Sequence, residues 1–170
     1  MADSIRIAAW NVNSLKVRLP HVLKWLQDQE KAMKPIDALC LQELKLTDDK
    51  YPHKELEEAG YISIAAGQKT YNGVAILSKT EMQDIQKGIP GFDDEQKRAI
   101  AATINGIRII DLYVVNGQSV GSEKYDYKMR WLEAVQDWVE NEMSKYSKLI
   151  VLGDFNIAPD DRDVHDASVW

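Results

Sequence analysis

At 170 residues, 45% hydrophobic and 28% charged, the chain is long enough for one domain with a real core, and its composition excludes a disordered polymer. Its net charge of −6 excludes a basic surface spread over the whole molecule. It does not exclude a phosphodiester substrate, because a site can gather carboxylates around a metal that supplies its own positive charge. A single cysteine, Cys40, rules out a disulfide framework and agrees with a reducing compartment.

The start, Met1-Ala2-Asp3-Ser4, lacks the basic and apolar regions of a secretory signal, and no apolar stretch approaches the ~20 residues that span a bilayer. The expectation is a soluble, cytoplasmic protein with no membrane partner. Ile5 to Trp10 reads as a buried strand ending at Asn11. Leu19, Val22, Leu23 and Leu26 follow helical spacing, with Pro20 placed in a first turn and Pro35 closing the region. Ala38 to Leu41 gives a second apolar strand, which delivers Gln42-Glu43; Cys40 inside it reads as a buried, inert thiol.

Lys54 to Ala59 predicts a short helix stopped by Gly60. Tyr61–Ala66 and Val74–Leu77 read as strands joined by the turn-rich Gly67–Gly73. Ala99–Ile104 and Ile107–Val114 flank Asn105-Gly106, a strong hairpin signal. A long amphipathic helix is expected from Lys124 to Tyr146, on Tyr127, Trp131, Val135, Trp138 and Val139. Leu149–Leu152 is the last strand, ending at Gly153-Asp154. Hairpins mixed with strand–helix–strand passages predict an α/β fold with mixed sheets and no domain linker.

Three apolar strands thus end in polar residues, Asn11, Glu43 and Asp154, at the edge where α/β folds tend to bind ligands. Glu43 can bind a hard cation such as Mg²⁺, or be a solvated rim carboxylate. Asp154, on a glycine turn, can take a proton from water with Asn156 holding a substrate oxygen, or both can cap local backbone. Asn11 and Asn13 can donate to phosphate without adding negative charge, or simply form a turn. Tyr113 can donate its hydroxyl to a phosphate, or be a half-buried strand tyrosine.

The ordered set Trp10-Asn11-x-Asn13, Gln42-Glu43-x-Lys45, Tyr113-Val114-x-Asn116-Gly117 and Gly153-Asp154-Phe155-Asn156 resembles the exonuclease III type AP endonucleases of the endonuclease/exonuclease/phosphatase superfamily. The likeness runs through Gly67–Ser78 and Gly88–Gln96 as well. It implies a deoxyribonuclease I-like, four-layer α/β sandwich of two mixed sheets flanked by helices, with residues 1–170 as the N-terminal part of a single domain. It implies Glu43 as the principal Mg²⁺ ligand (Mn²⁺ being the alternative ion), with Asn13 in the surrounding shell. Asp154 would prepare the attacking water, Asn156 and Asn11 would hold the phosphate and fix Asp154, and Tyr113 would contact the scissile phosphate. Lys45 and Asn116 would line the DNA-facing rim.

The implied substrate is duplex DNA, cut 5′ to abasic sites or from 3′ ends by a monomeric repair enzyme. Other phosphoesterases of the same fold, acting on nucleotides or phosphoinositides, and an inactive DNA-binding portion are the competing readings. Leu44 and Val115 depart from the threonine and proline common in the motifs. Family members also continue for about another half domain to a Ser-Asp-His motif, whereas this chain stops at Val169-Trp170. The 170 residues alone are therefore expected to be inactive and poorly soluble. His165, in the polar run Asp161–Asp166, reads as a surface-loop residue that cannot replace the family histidine.

Overall fold

The computed structural model describes residues 4–169. Its elements are β1 (Ile7–Asn11), α1 (Leu15–Lys31), β2 (Ala38–Gln42), α2 (His53–Glu58), β3 (Ile62–Ala66), β4 (Val74–Ser78), β5 (Gln83–Lys87), β6 (Ala99–Ile104), β7 (Ile107–Tyr113), α3 (Glu123–Lys145) and β8 (Leu149–Asp154), with one short 3-10 turn before α2 and two after β8. One sheet has the order β1-β2-β4-β3 and the other β5-β6-β7-β8. Each is mixed, because β1 runs parallel to β2 and β8 parallel to β7, while the remaining pairs are antiparallel.

Alternation along the strands sorts their side chains into three apolar layers. Leu39, Leu41, Ala75 and Leu77 face α1 and α2, packing on Val22, Leu26 and Leu56. Ala38, Cys40, Val74 and Ile76 face the opposite sheet and meet Ile100, Ala102, Ile104 and Ile109. Ala101, Ile110 and Leu112 face α3 and pack on Trp131, Val135 and Trp138. Helices, sheet, sheet and helix therefore stack as a four-layer sandwich of the deoxyribonuclease I type, as the sequence motifs imply.

The strands lie within a residue or two of their expected places, and the Asn105-Gly106 turn takes two positive φ values, 50° and 74°, as a tight hairpin requires. Helix α1 departs more. It begins four residues early, at Leu15, so Pro20 lies inside the helix and not in its first turn. The early start comes from tertiary bonding: the N–H groups of Ser14 and Leu15 donate to the carbonyls of Glu43 and Leu44, at 2.8 and 3.0 Å. These bonds satisfy amides that an uncapped helix start would orphan. β5 was not expected from sequence at all. Its residues, Gln-Asp-Ile-Gln-Lys, are mostly exposed, and it pairs only with β6, through a register shift.

On the α3 side, Arg108 is almost fully buried. Its Nε donates to Glu142 Oε2 at 2.5 Å, its guanidinium also donates to the Asp84 carbonyl, and it lies 5.0 Å from the Tyr146 ring centre. This ion pair joins β7 to the last turns of α3, far from the polar strand ends described next.

Candidate active site

The parallel pairs decide where the polar strand ends fall. Register places Asn11 beside Gln42 and Tyr113 beside Asp154, and β1 packs next to β8 across the sheet interface. The carboxyl ends of four strands from two sheets converge there. Asn11 sits at the centre: its Nδ2 donates to Glu43 Oε1 at 2.9 Å and to Asp154 Oδ2 at 2.8 Å. Its Oδ1 accepts from the Asn13 N–H at 3.0 Å. The Asn11 amide hydrogens are thus both committed to carboxylates.

The Tyr113 hydroxyl donates to the same Glu43 Oε1 at 2.9 Å. The Lys45 ammonium lies 3.0 Å from Glu43 Oε2 and donates to Asn13 Oδ1 at 2.6 Å. Asp154 Oδ1 accepts from the Asn156 backbone N–H at 3.1 Å, while Asn156 Nδ2 donates to the Val114 carbonyl at 2.9 Å. Glu43, Lys45, Asn13 and Asn156 all have positive φ, between 42° and 57°. Such φ values are unusual outside glycine and are held here by surrounding bonds: the Leu44 and Lys45 N–H groups donate to the carbonyls of Gly73 and Asn72. Gly153 is required for a different reason. A Cβ there would come 1.9 Å from the Leu112 carbonyl oxygen, so only glycine lets β8 approach β7 just before Asp154.

Partial burial pushes the Glu43 carboxyl upward, but hydrogen bonds from Asn11, Lys45 and Tyr113, with the Lys45 charge, outweigh it and hold the group below its ordinary value. Glu43 is accordingly ionised at neutral pH. Burial and the bond to Glu43 raise the Tyr113 phenol to about 12, with the Arg98 charge opposing. Its hydroxyl therefore keeps its proton and acts as a donor.

Every residue singled out from the sequence lies in or beside this cluster. Asn116 is exposed and, with Asn11, Asp154 and Asn156, lines an open cleft of about 780 Å³. His165 is exposed, as expected of a surface loop, yet its turn closes one wall of that cleft. Three neighbours carried no sequence signal. Lys128 on α3 donates to the Asn156 carbonyl at 2.8 Å. Arg98 lies over the Tyr113 ring, 4.7 Å from its centre. Asp111 is fully buried between the sheets, where one oxygen accepts from Gln42 Nε2 at 2.7 Å and the other has no partner.

Among the described residues no three His, Cys, Asp or Glu side chains gather into a metal-binding group. The donors that do converge, one carboxylate and an amide oxygen, are hard ligands of the type Mg²⁺ accepts while keeping several waters. Glu43 Oε2 and Asn13 Oδ1 already share one cation, the Lys45 ammonium, so this oxygen pair fits a positive ion.

The chain is similar to exodeoxyribonuclease III of Haemophilus influenzae, 32% identical over 94% of this chain and 60% of that protein. An exodeoxyribonuclease of Bacillus subtilis is 28% identical over 94% of this chain and 62% of its own length. Among solved structures, a 3′ phosphatase from Neisseria bound to a product DNA hairpin superposes with a TM-score of 0.92 at 48% identity, covering 98% of this chain and 63% of that one. An AP endonuclease from Archaeoglobus fulgidus superposes with a TM-score of 0.89 at 35% identity, covering 98% and 63%. The chain thus spans about six tenths of the length of the relatives it matches. Residues 8–168, carrying every strand end of the cluster, match the Endonuclease/Exonuclease/phosphatase family, and the chain belongs to that family.

Proposed function

We propose that these 170 residues form the N-terminal portion of a single-domain DNA-repair nuclease, a divalent-cation-dependent phosphodiesterase acting on duplex DNA at 3′ ends and 5′ to abasic sites. The observation that carries the reading is Asn11, one amide bonded to both Glu43 and Asp154, which holds a candidate cation ligand and a candidate base in fixed relation. Glu43, with Asn13 beside it, would hold Mg²⁺ or Mn²⁺, and the bound ion would supply the positive charge that polarises the phosphate and stabilises the leaving oxygen. Lys45 swings off Glu43 to the rim and, with Asn116, meets the DNA backbone.

Asp154 accepts the proton of the attacking water. Asn11 and the Asn156 backbone N–H each hold one of its oxygens, and Asp154 lines the cleft. The Tyr113 hydroxyl turns from Glu43 to a phosphate oxygen when substrate enters, and Asn156 supports that phosphate from the other side. The domain proposal has its own support: all residues of β8 and most of β1 are only half-buried, although both strands are largely apolar, as expected of edges that further chain covers.

Similarity at 48–49% to two structures of one Neisseria protein, described as a 3′ phosphatase and as a 3′–5′ exonuclease, against 35% for the archaeal AP endonuclease, favours 3′ ends over abasic sites as the main substrate. The test is cleavage by the full-length protein of a recessed 3′ end, a 3′-phosphate end, an abasic duplex and an inositol phosphate, with Mg²⁺, with Mn²⁺ and with chelator. Cation-dependent release from 3′ ends is expected. Hydrolysis of the inositol phosphate alone would overturn the reading.

A further inference from the structure

We infer that Arg98 is a positioning residue for Tyr113, setting the phenol hydroxyl where the phosphate must arrive; the inference rests on the role proposed above for Tyr113. Arg98 immediately precedes β6, and the hairpin brings it back beside the end of β7. The Tyr113 N–H donates to the Arg98 carbonyl at 2.8 Å, and an Arg98 guanidinium N–H donates to the Tyr113 carbonyl at 3.3 Å. Between these two backbone ties the guanidinium carbon lies 4.7 Å from the ring centre, over its face.

The guanidinium is itself held. Its Nε donates to Gln96 Oε1 at 2.7 Å, and the same oxygen accepts from the buried Asn72 amide at 3.4 Å. The Asn72 backbone carbonyl in turn accepts from the Lys45 N–H, in the turn that presents Glu43. The 67–73 loop therefore braces both ends of the Tyr113–Glu43 hydrogen bond: one through Lys45, the other through Gln96 and Arg98.

Tyr113 is half-buried at a strand end, with its ring against the edge of the inter-sheet core. A planar cation fixed over one face restricts the ring to the rotamer that points its hydroxyl at Glu43. The same charge draws electron density from the ring and makes the O–H a stronger donor. Arg98 is half-buried, and its guanidinium is turned to the Tyr113 ring, the Tyr113 carbonyl and Gln96. A guanidinium that touched DNA directly would act mainly on affinity; one that aims a hydroxyl acts mainly on turnover.

The experiment is a double-mutant cycle in the full-length protein, R98Q against Y113F, with kcat and KM measured on 3′-ended duplex. R98Q should lower kcat about tenfold, the scale of one cation–π contact plus one hydrogen bond, with KM changed less than about twofold. R98K, which keeps the charge but cannot bond Gln96 and the Tyr113 carbonyl together, should recover part of the loss. In the Y113F background, R98Q should have no further effect, because the hydroxyl it aims is gone. Losses that multiply in the double mutant, or a loss carried by KM, would overturn the inference. If R98Q does not melt cooperatively, R98K takes its place in the cycle with the same coupling expected. Full activity of Y113F alone would instead overturn the proposed role of Tyr113, so the two failures are distinguishable.

Discussion

Replacing Asp111 with asparagine should flatten the pH dependence of stability. Asp111 is fully buried between the sheets, with one oxygen accepting from Gln42 and the other unpartnered. Burial drives its carboxyl well above the ordinary value, and the bond from Gln42 offsets only part of that rise. In the unfolded chain the group ionises near pH 3.9. Its contribution to stability is therefore fully present below about pH 4 and is lost as pH rises toward the raised folded value. In that window the folded state holds one more proton than the unfolded state, so stability falls by about 1.4 kcal/mol per pH unit. Asparagine keeps the shape and the acceptor for Gln42 but does not titrate. Urea unfolding of both full-length proteins between pH 4.5 and 6.5 isolates the difference, because all other groups are shared. The wild-type curve should fall more steeply than the variant's with rising pH, at a slope difference no greater than about 1.4 kcal/mol per unit. Parallel curves would mean that Asp111 is ionised in the fold, and the buried-acid reasoning would fail.

Two further outcomes follow from the geometry of the site and of the buried ion pair. Glu43→Gln should raise the Mg²⁺ concentration for half-maximal cleavage about tenfold or more while leaving the melting transition in place, since the side chain adds little to the core; an unchanged Mg²⁺ titration would sink the ligand assignment. Arg108→Met should destabilise the fold by about 2–4 kcal/mol in urea, because buried Glu142 would keep only the half-exposed Lys145, 3.2 Å from its other oxygen, and a loss under about 1 kcal/mol would show that the pair is solvated.

Much of the site was legible because its residues follow apolar strands. Asn11, Glu43 and Asp154 stand where apolar runs stop, at the strand ends where α/β folds tend to bind ligands. The hairpin at Asn105-Gly106 and the periodic face of α3 were legible for equally local reasons. What could not be read depends on contacts distant in sequence. β5 exists because β6 offers it an edge, and its polar residues carry no period-2 signal. The early start of α1 depends on carbonyls of Glu43 and Leu44, about thirty residues on. Arg98 reads as one more charge in the run Glu95-Gln96-Lys97-Arg98, and only the return of β7 places Tyr113 beneath it. Asp111 interrupts the apolar run Ile109–Leu112, yet nothing local tells that its partner is Gln42 on the opposite sheet.

The central claim is that Asp154 prepares the water that attacks a DNA phosphodiester. It is tested most directly by Asp154→Asn in the full-length protein, under single-turnover conditions with Mg²⁺ and a 3′-ended duplex. The amide preserves size and can still meet the Asn156 N–H, but it cannot take a proton. Cleavage of bound DNA should slow by about 10²–10⁴-fold with affinity nearly unchanged. Collapse of DNA affinity with normal cleavage of the bound fraction would contradict the account and make Asp154 a binding residue.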